Sequence, residues 1–181
     1  MQLVMRKLLN EELGRLSVDE YKNARKMPVV VILDNVRSLN NIGSFFRTCD
    51  AFRVRSLYLC GITATPPHRD IQKTALGATE SVEWFYYEST IDAVAACRNE
   101  GFEVCTLEQA EHSIKLNDFT IEQAHKYALV FGHEMRGVDQ EVVSQSDRVL
   151  EIPQSGTKHS LNIAVSAGIV LWDFYKICSP D

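Results

Sequence analysis

Ile152-Pro153-Gln154-Ser155-Gly156-Thr157-Lys158-His159-Ser160-Leu161-Asn162 is the stretch from which the rest of this sequence is read. A strand ending at Ile152 meets a proline, then a short polar loop with one glycine, then an apolar run. Pro153 cannot continue a hydrogen-bonded ladder and Gly156 permits tight backbone geometry, so the loop is expected to be a compact turn. Beyond it Ile163, Val165, Ile169, Leu171, Trp172 and Phe174 leave no clean polar stripe. A helix apolar all round must be buried on all sides. Its entrance nevertheless carries Lys158, His159, Ser160 and Asn162, costly to bury without partners. The free N–H groups and positive dipole end of a helix start suit an anionic or carbonyl-bearing ligand. The plainer reading is an ordinary helix start with Ser160 as its N-cap.

Residues 29–33 form a continuous, mostly β-branched run, the mark of a strand buried on both faces. A helix is expected to start near Asn41, capped by that residue, and to carry Phe45, Phe46 and Cys49 into a core. Further strands are expected over 56–60, 82–87, 102–107, 127–131 and 148–152, and helices over 69–75, 89–99, 139–145 and 161–177. Alternating strand and helix predicts an α/β domain on a mostly parallel sheet with helices on both faces. Ligands bind such sheets beyond the carboxyl ends of strands, here residues 34–41, 107–110, 132–138 and 152–162. Residues 1–28 look like an added helical arm, with a capping box at Ser17 and Glu20 and a stop at Pro28, leaving 29–181 as the main domain.

With 181 residues the chain fits one domain with a sizeable core. The run 163–172 is too short to span a membrane, and the early charges Arg6 and Lys7 followed by polar residues argue against a cleavable signal. Five scattered cysteines without a Cys-x-x-Cys pair read as reduced thiols in a cytoplasmic protein without a metal site. Net charge is −5, yet it is segregated: residues 1–79 carry 12 Lys/Arg against 7 Asp/Glu, and residues 80–125 carry 2 against 10. A basic first segment on an acidic body can bind nucleic acid through one face, although plain solvated surface gives the same count.

The common dinucleotide, P-loop and nucleophile-elbow motifs are absent. Three polar constellations remain at strand ends. Asn41-Ile42-Gly43-Ser44-Phe45-Phe46-Arg47 places an arginine beside phenylalanines, either exposed on an amphipathic helix or bound to a carboxylate or phosphate. Gly132-His133-Glu134-Met135-Arg136-Gly137-Val138 brackets a carboxylate between glycines; Glu134 there could simply pair Arg136 or cap the next helix. The third is the opening stretch.

Together the three resemble motifs 1, 2 and 3 of the SpoU (TrmH) family of RNA ribose 2′-O-methyltransferases, within the SPOUT superfamily. The matching positions are Asn41, Gly43 and Arg47; Gly132, Glu134 and Gly137; then Ile152, Pro153, Gly156, Ser160, Leu161 and Asn162. Gln154 stands where many members carry methionine. The resemblance covers about residues 29–175 and implies a deep C-terminal trefoil knot over about 107–177, which general topology rules would not suggest. It implies S-adenosyl-L-methionine held largely by backbone at Leu107, Gly132, Ile152 and Leu161, and a homodimer with the last helix at its interface.

It also implies that Arg47, Asn41, Glu134, Ser160 and Asn162 carry the reaction. The protein must align a ribose 2′-hydroxyl with the methyl group and relieve it of its proton. Arginine is effectively always protonated, so Arg47 is either made basic by phosphate contact and dry surroundings or anchors phosphate while another group takes the proton. Asn41 and Glu134 would orient Arg47 and the ribose. Arg37, Arg53, Arg55, Lys22, Arg25 and Lys26 would grip the RNA backbone. The short arm and Gln154 favour tRNA, and guanosine within it, over rRNA. A non-catalytic RNA-binding or assembly protein of the same fold is the alternative from another class.

Overall fold

A computed structural model describes residues 5–180; residues 1–4 of the expected arm and residue 181 lie outside the described residues. The strands are β1 (Met27–Asp34), β2 (Val54–Cys60), β3 (Trp84–Tyr87), β4 (Glu103–Leu107), β5 (Ile114–Lys115), β6 (Tyr127–Phe131) and β7 (Arg148–Glu151). The helices are α1 (Val18–Asn23), α2 (Leu39–Ala51), α3 (Arg69–Ala75), α4 (Ala78–Ser81), α5 (Thr90–Asn99), α6 (Gln140–Gln145) and α7 (Ile163–Cys178). The strands form one sheet in the order β3-β2-β1-β6-β4-β7-β5, and every pairing is parallel.

The β-branched run predicts a doubly covered strand, and β1 is one. Val29, Val31 and Leu33 pack with α2 and α7 on one face, while Val30 and Ile32 pack with α5 on the other. Alternate side chains of a strand point to opposite faces, so one continuous apolar run serves two cores. Among the described residues no helix is long and apolar enough to cross a membrane. All five cysteines are free and buried. Burial pushes the Cys60 and Cys97 thiols up to about 12, which keeps them from acting as nucleophiles.

Several boundaries differ from expectation. Pro28 does not end the arm: it is the second residue of β1, where the pairing with β2 shifts register between Met27 and Val30. That irregularity accommodates a residue with no N–H to donate. The arm contains a 3₁₀ turn at Asn10–Leu13 and the six-residue α1, whose capping box at Ser17 and Glu20 forms as expected. It is anchored by buried Tyr21, whose hydroxyl donates to the Cys49 carbonyl at 3.3 Å. Ser38, not Asn41, caps α2, and Asn162, not Ser160, caps α7.

The last helix departs most from a fully buried rod. Ala167, Val170, Leu171 and Phe174 face the core, but Val165, Ile169, Trp172 and Ile177 are exposed, Trp172 at 53%. Gly168 lies within this outer face, and a Cβ there would meet nothing within 4 Å. The chain bends at residues 156–159, but residues 153–161 are exposed and a Cβ at Gly156 also meets open space, so no close approach demands glycine there.

Candidate active site

Strand order brings the expected motifs together. Because β6 lies between β1 and β4, the loop after β6 is flanked by the loops after those strands. A cavity of about 440 Å³ opens there, lined by Leu107, Gly132, Ile152 and Leu161, the four residues expected to hold a cofactor. That is a common size for a small-molecule site. Glu134, Ser160 and Asn162 line it too. Its floor needs glycine, since a Cβ on Gly132 would stand 2.2 Å from the Gly137 carbonyl carbon and the Val138 nitrogen.

A relay of side chains crosses the rim and joins all three motifs. Asn162 caps α7 by accepting from the N–H groups of Ala164 (2.9 Å) and Val165 (3.3 Å), and its Nδ2 donates to Asn41 Oδ1 at 3.3 Å. Asn41 Nδ2 donates to Glu134 Oε1 at 2.9 Å. Glu134 also accepts from the backbone N–H groups of Ser38 (2.9 Å) and Arg37 (3.1 Å), at the amino end of α2. Partial burial works to raise the Glu134 carboxyl, but the bonds from Asn41 and from backbone N–H groups outweigh it and hold it below the ordinary carboxylate range.

A depressed carboxylate adds stability that is present above its unfolded pKa and lost as pH falls through the lowered folded value. Glu134→Gln keeps one acceptor oxygen and loses a charge that solvent partly screens, so it should cost about 1 kcal/mol or less at neutral pH. The gap to the wild type should close on acidification below about pH 4, which chemical denaturation at a series of pH values will show.

Other expected residues lie elsewhere. Arg47 is exposed and does not line this cavity. It faces a second cavity between α2 and the arm, with Arg15, Asp50, Arg53 and Tyr175 among its walls. Among the described residues no hydrogen bond or ion pair engages the Arg47 side chain, so Asn41 and Glu134 orient each other and α2 rather than Arg47. Of the residues expected to grip RNA, Arg37, Lys22 and Arg25 are exposed. Lys26 is bound to the carbonyls of Tyr21 and Ala24, and Arg55 pairs with Glu100 at 2.7 Å near the amino end of β2, away from the cavity.

Among the lining residues that were not anticipated, Glu108 and Gln109 bind neighbouring loops. Glu108 Oε2 accepts from the Val138 N–H at 3.0 Å and packs against Gly137, whose positive φ of 70° disfavours any side chain and where a Cβ would displace that carboxylate. Gln109 Nε2 donates to the His159 carbonyl at 2.8 Å. Their only signal in sequence was position, directly after a buried strand. Glu108, Glu134 and Glu151 give the cavity wall three carboxylates against the one guanidinium of Arg136, a net negative setting that suits a cationic sulfonium ligand.

The model of the SpoU rRNA Methylase family matches residues 28–172. The chain belongs to that family. Among SpoU relatives, the tRNA (guanosine(18)-2′-O)-methyltransferase of Aquifex aeolicus is 29% identical over 172 residues, spanning 92% of this chain and 76% of the relative. The 23S rRNA (guanosine-2′-O-)-methyltransferase of Vibrio parahaemolyticus is 24% identical, over 94% of this chain and 68% of the relative. Among solved structures, an AdoMet-bound rRNA methyltransferase from Sinorhizobium meliloti superposes with a TM-score of 0.77 at 26% identity, covering 90% of this chain and 61% of that one. The α/β fold with a parallel sheet is therefore that of SpoU enzymes.

Proposed function

We propose that this SpoU-family chain transfers a methyl group from S-adenosyl-L-methionine to a ribose 2′-hydroxyl in structured RNA, with tRNA guanosine favoured over rRNA. The observation that carries this reading is the Glu134–Asn41–Asn162 relay on the rim of a cavity walled by three strand ends. When bound, the cofactor supplies a methyl group on a good leaving group. Backbone at Leu107, Gly132, Ile152 and Leu161 would enclose it, in loops we read as the knotted part of the chain. Ser160, exposed at the cavity mouth, and Asn162 would meet the ribose. Support for the RNA comes from the guanosine methyltransferases among the relatives, of which the Aquifex tRNA enzyme is matched over more of its own length than the Vibrio rRNA enzyme. We read the protein as cytoplasmic.

The position of Arg47 favours a homodimer. The outer face of α7 is apolar along its length, from Val165 through Trp172. In an antiparallel two-fold pairing of α7 with its copy, the carboxyl half of one helix lies beside the amino half of the other. Tyr175 shares a cavity with Arg47, and the amino end of α7 borders the active-site cavity. Such pairing carries Arg47 of each copy toward the Ser160–Asn162 segment of the other, with Arg37, Lys22, Arg25 and Arg53 as phosphate contacts around it. Trp172→Glu should give a monomer by light scattering and lose methyl transfer, while each monomer keeps its fold by circular dichroism.

The placement of Arg47 outside the cavity within one chain also favours the second reading, a non-catalytic RNA-binding protein. Incubation of the protein with methyl-labelled cofactor and unmodified tRNA or rRNA, followed by mass mapping of ribose methylation, separates the two. Label at one 2′-oxygen supports the enzyme. Cofactor binding that gives no label on either RNA overturns it.

A further inference from the structure

Residues 153–161 form an exposed strap from the end of β7 to the cap of α7, and Gln154, His159, Ser160 and Leu161 within it line the active-site cavity. Among the described residues, one hydrogen bond ties this strap to the remainder of the fold: Gln109 Nε2 to the His159 carbonyl, 2.8 Å. The donor stands on a firm base. The Glu108 N–H donates to the Leu150 carbonyl at 3.0 Å, and the Glu108 carboxylate accepts from Val138 at 3.0 Å and from the Gln109 N–H at 2.9 Å. Residues 108 and 109 thus connect the exit of β4 to both other loops of the cavity, one side chain to each.

The asymmetry between the two connections suggests their use. Glu108 reaches the 132–138 loop, which is already closed by backbone bonds between His133 and Gly137. Gln109 reaches a segment within which, among the described residues, no hydrogen bond is formed. The cavity has an open mouth through which a ligand can enter, and among its walls the strap is the one with least to break when a seated ligand leaves. We propose that Gln109 is the latch of a strap at 153–161 that governs exchange of S-adenosylmethionine and release of S-adenosylhomocysteine. Gln109 is a positioning residue: it acts on the ligand through His159 and its neighbours. The proposal rests on the methyltransferase reading above.

Gln109→Leu removes both polar groups, and Gln109→Glu keeps the length but replaces the donor with a carboxylate that repels the His159 carbonyl. Release of S-adenosylhomocysteine, followed by stopped-flow fluorescence of Trp84 and Trp172 or by chase with labelled ligand, should accelerate roughly three- to tenfold in both variants, the factor one hydrogen bond contributes. Association should change less than about twofold, and the melting temperature of the ligand-free protein should stay within about one degree, since Gln109 is exposed. In hydrogen exchange, amides of 154–161 should gain less protection on ligand binding in both variants than in the wild type. Wild-type release rates in both variants overturn the latch while leaving the enzyme reading intact. A wild-type protein that binds no S-adenosylhomocysteine overturns both.

Discussion

Arg47→Ala should leave S-adenosylmethionine affinity within about twofold of the wild type and lower the rate of methyl transfer by roughly 100-fold or more. The first half follows from placement: Arg47 does not line the cavity proposed for the cofactor, and no hydrogen bond or ion pair among the described residues engages its side chain. The same facts predict an unchanged melting temperature, because an exposed side chain with no fixed partner contributes little to the fold. The second half follows from the proposed role of Arg47 as a phosphate contact beyond Arg136, which already lines the cavity. Asn41 and Glu134 are bound to each other and to the start of α2, so neither is free to meet a phosphate or a developing alkoxide. A guanidinium delivered from a second copy, the arrangement proposed above, would supply that contact. Arg47→Lys keeps the charge without the planar fork, and should recover only part of the rate if bidentate phosphate contact matters. Titration calorimetry with the cofactor and single-turnover methylation measure the two halves separately. A normal rate in Arg47→Ala would remove this residue from the mechanism.

Gly132→Ala should lose cofactor binding by about 100-fold and destabilise the fold by about 1–3 kcal/mol or more. The added Cβ would stand 2.2 Å from two backbone atoms, the Gly137 carbonyl carbon and the Val138 nitrogen, and 2.3 Å from the Gly137 oxygen. Backbone cannot swing aside as a flexible side chain can. The 132–138 loop would have to open, breaking the His133–Gly137 bridge and moving Glu134 away from Ser38 and Asn41. Gly156→Ala is the matched control. It lies in the third motif, where a Cβ meets open space, and should change stability by less than about 0.5 kcal/mol. Thermal melts with and without S-adenosylmethionine will measure both. A Gly132→Ala protein that melts and binds normally would mean the loop is not held as closely as its geometry requires.

The sequence alone determined the class of fold, because burial on both faces leaves a one-dimensional trace. The runs at Val29–Leu33 and Tyr127–Phe131 could only be strands covered on two sides, and such strands alternating with helices make a parallel sheet. Sequence also marked which loops matter, since polar residues and glycines directly after buried strands mark ligand sites in such sheets. It could not assign partners within those loops. That Glu134 pairs with Asn41 rather than Arg136 depends on β6 inserting beside β1, a choice between positions 93 residues apart that no local pattern records. Periodicity placed Arg47 on α2 but not on a side of the molecule, because the arm and Tyr175 that face it come from opposite ends of the chain. Nor could it show that Gly132 is hemmed in by backbone while Gly156 stands in the open. An all-apolar α7 read as buried everywhere, yet a helix packed on one side of a sheet covers only half its circumference, and Val165, Ile169 and Trp172 remain outside. Composition decides what must be hidden from water; only the packed chain decides which neighbour hides it.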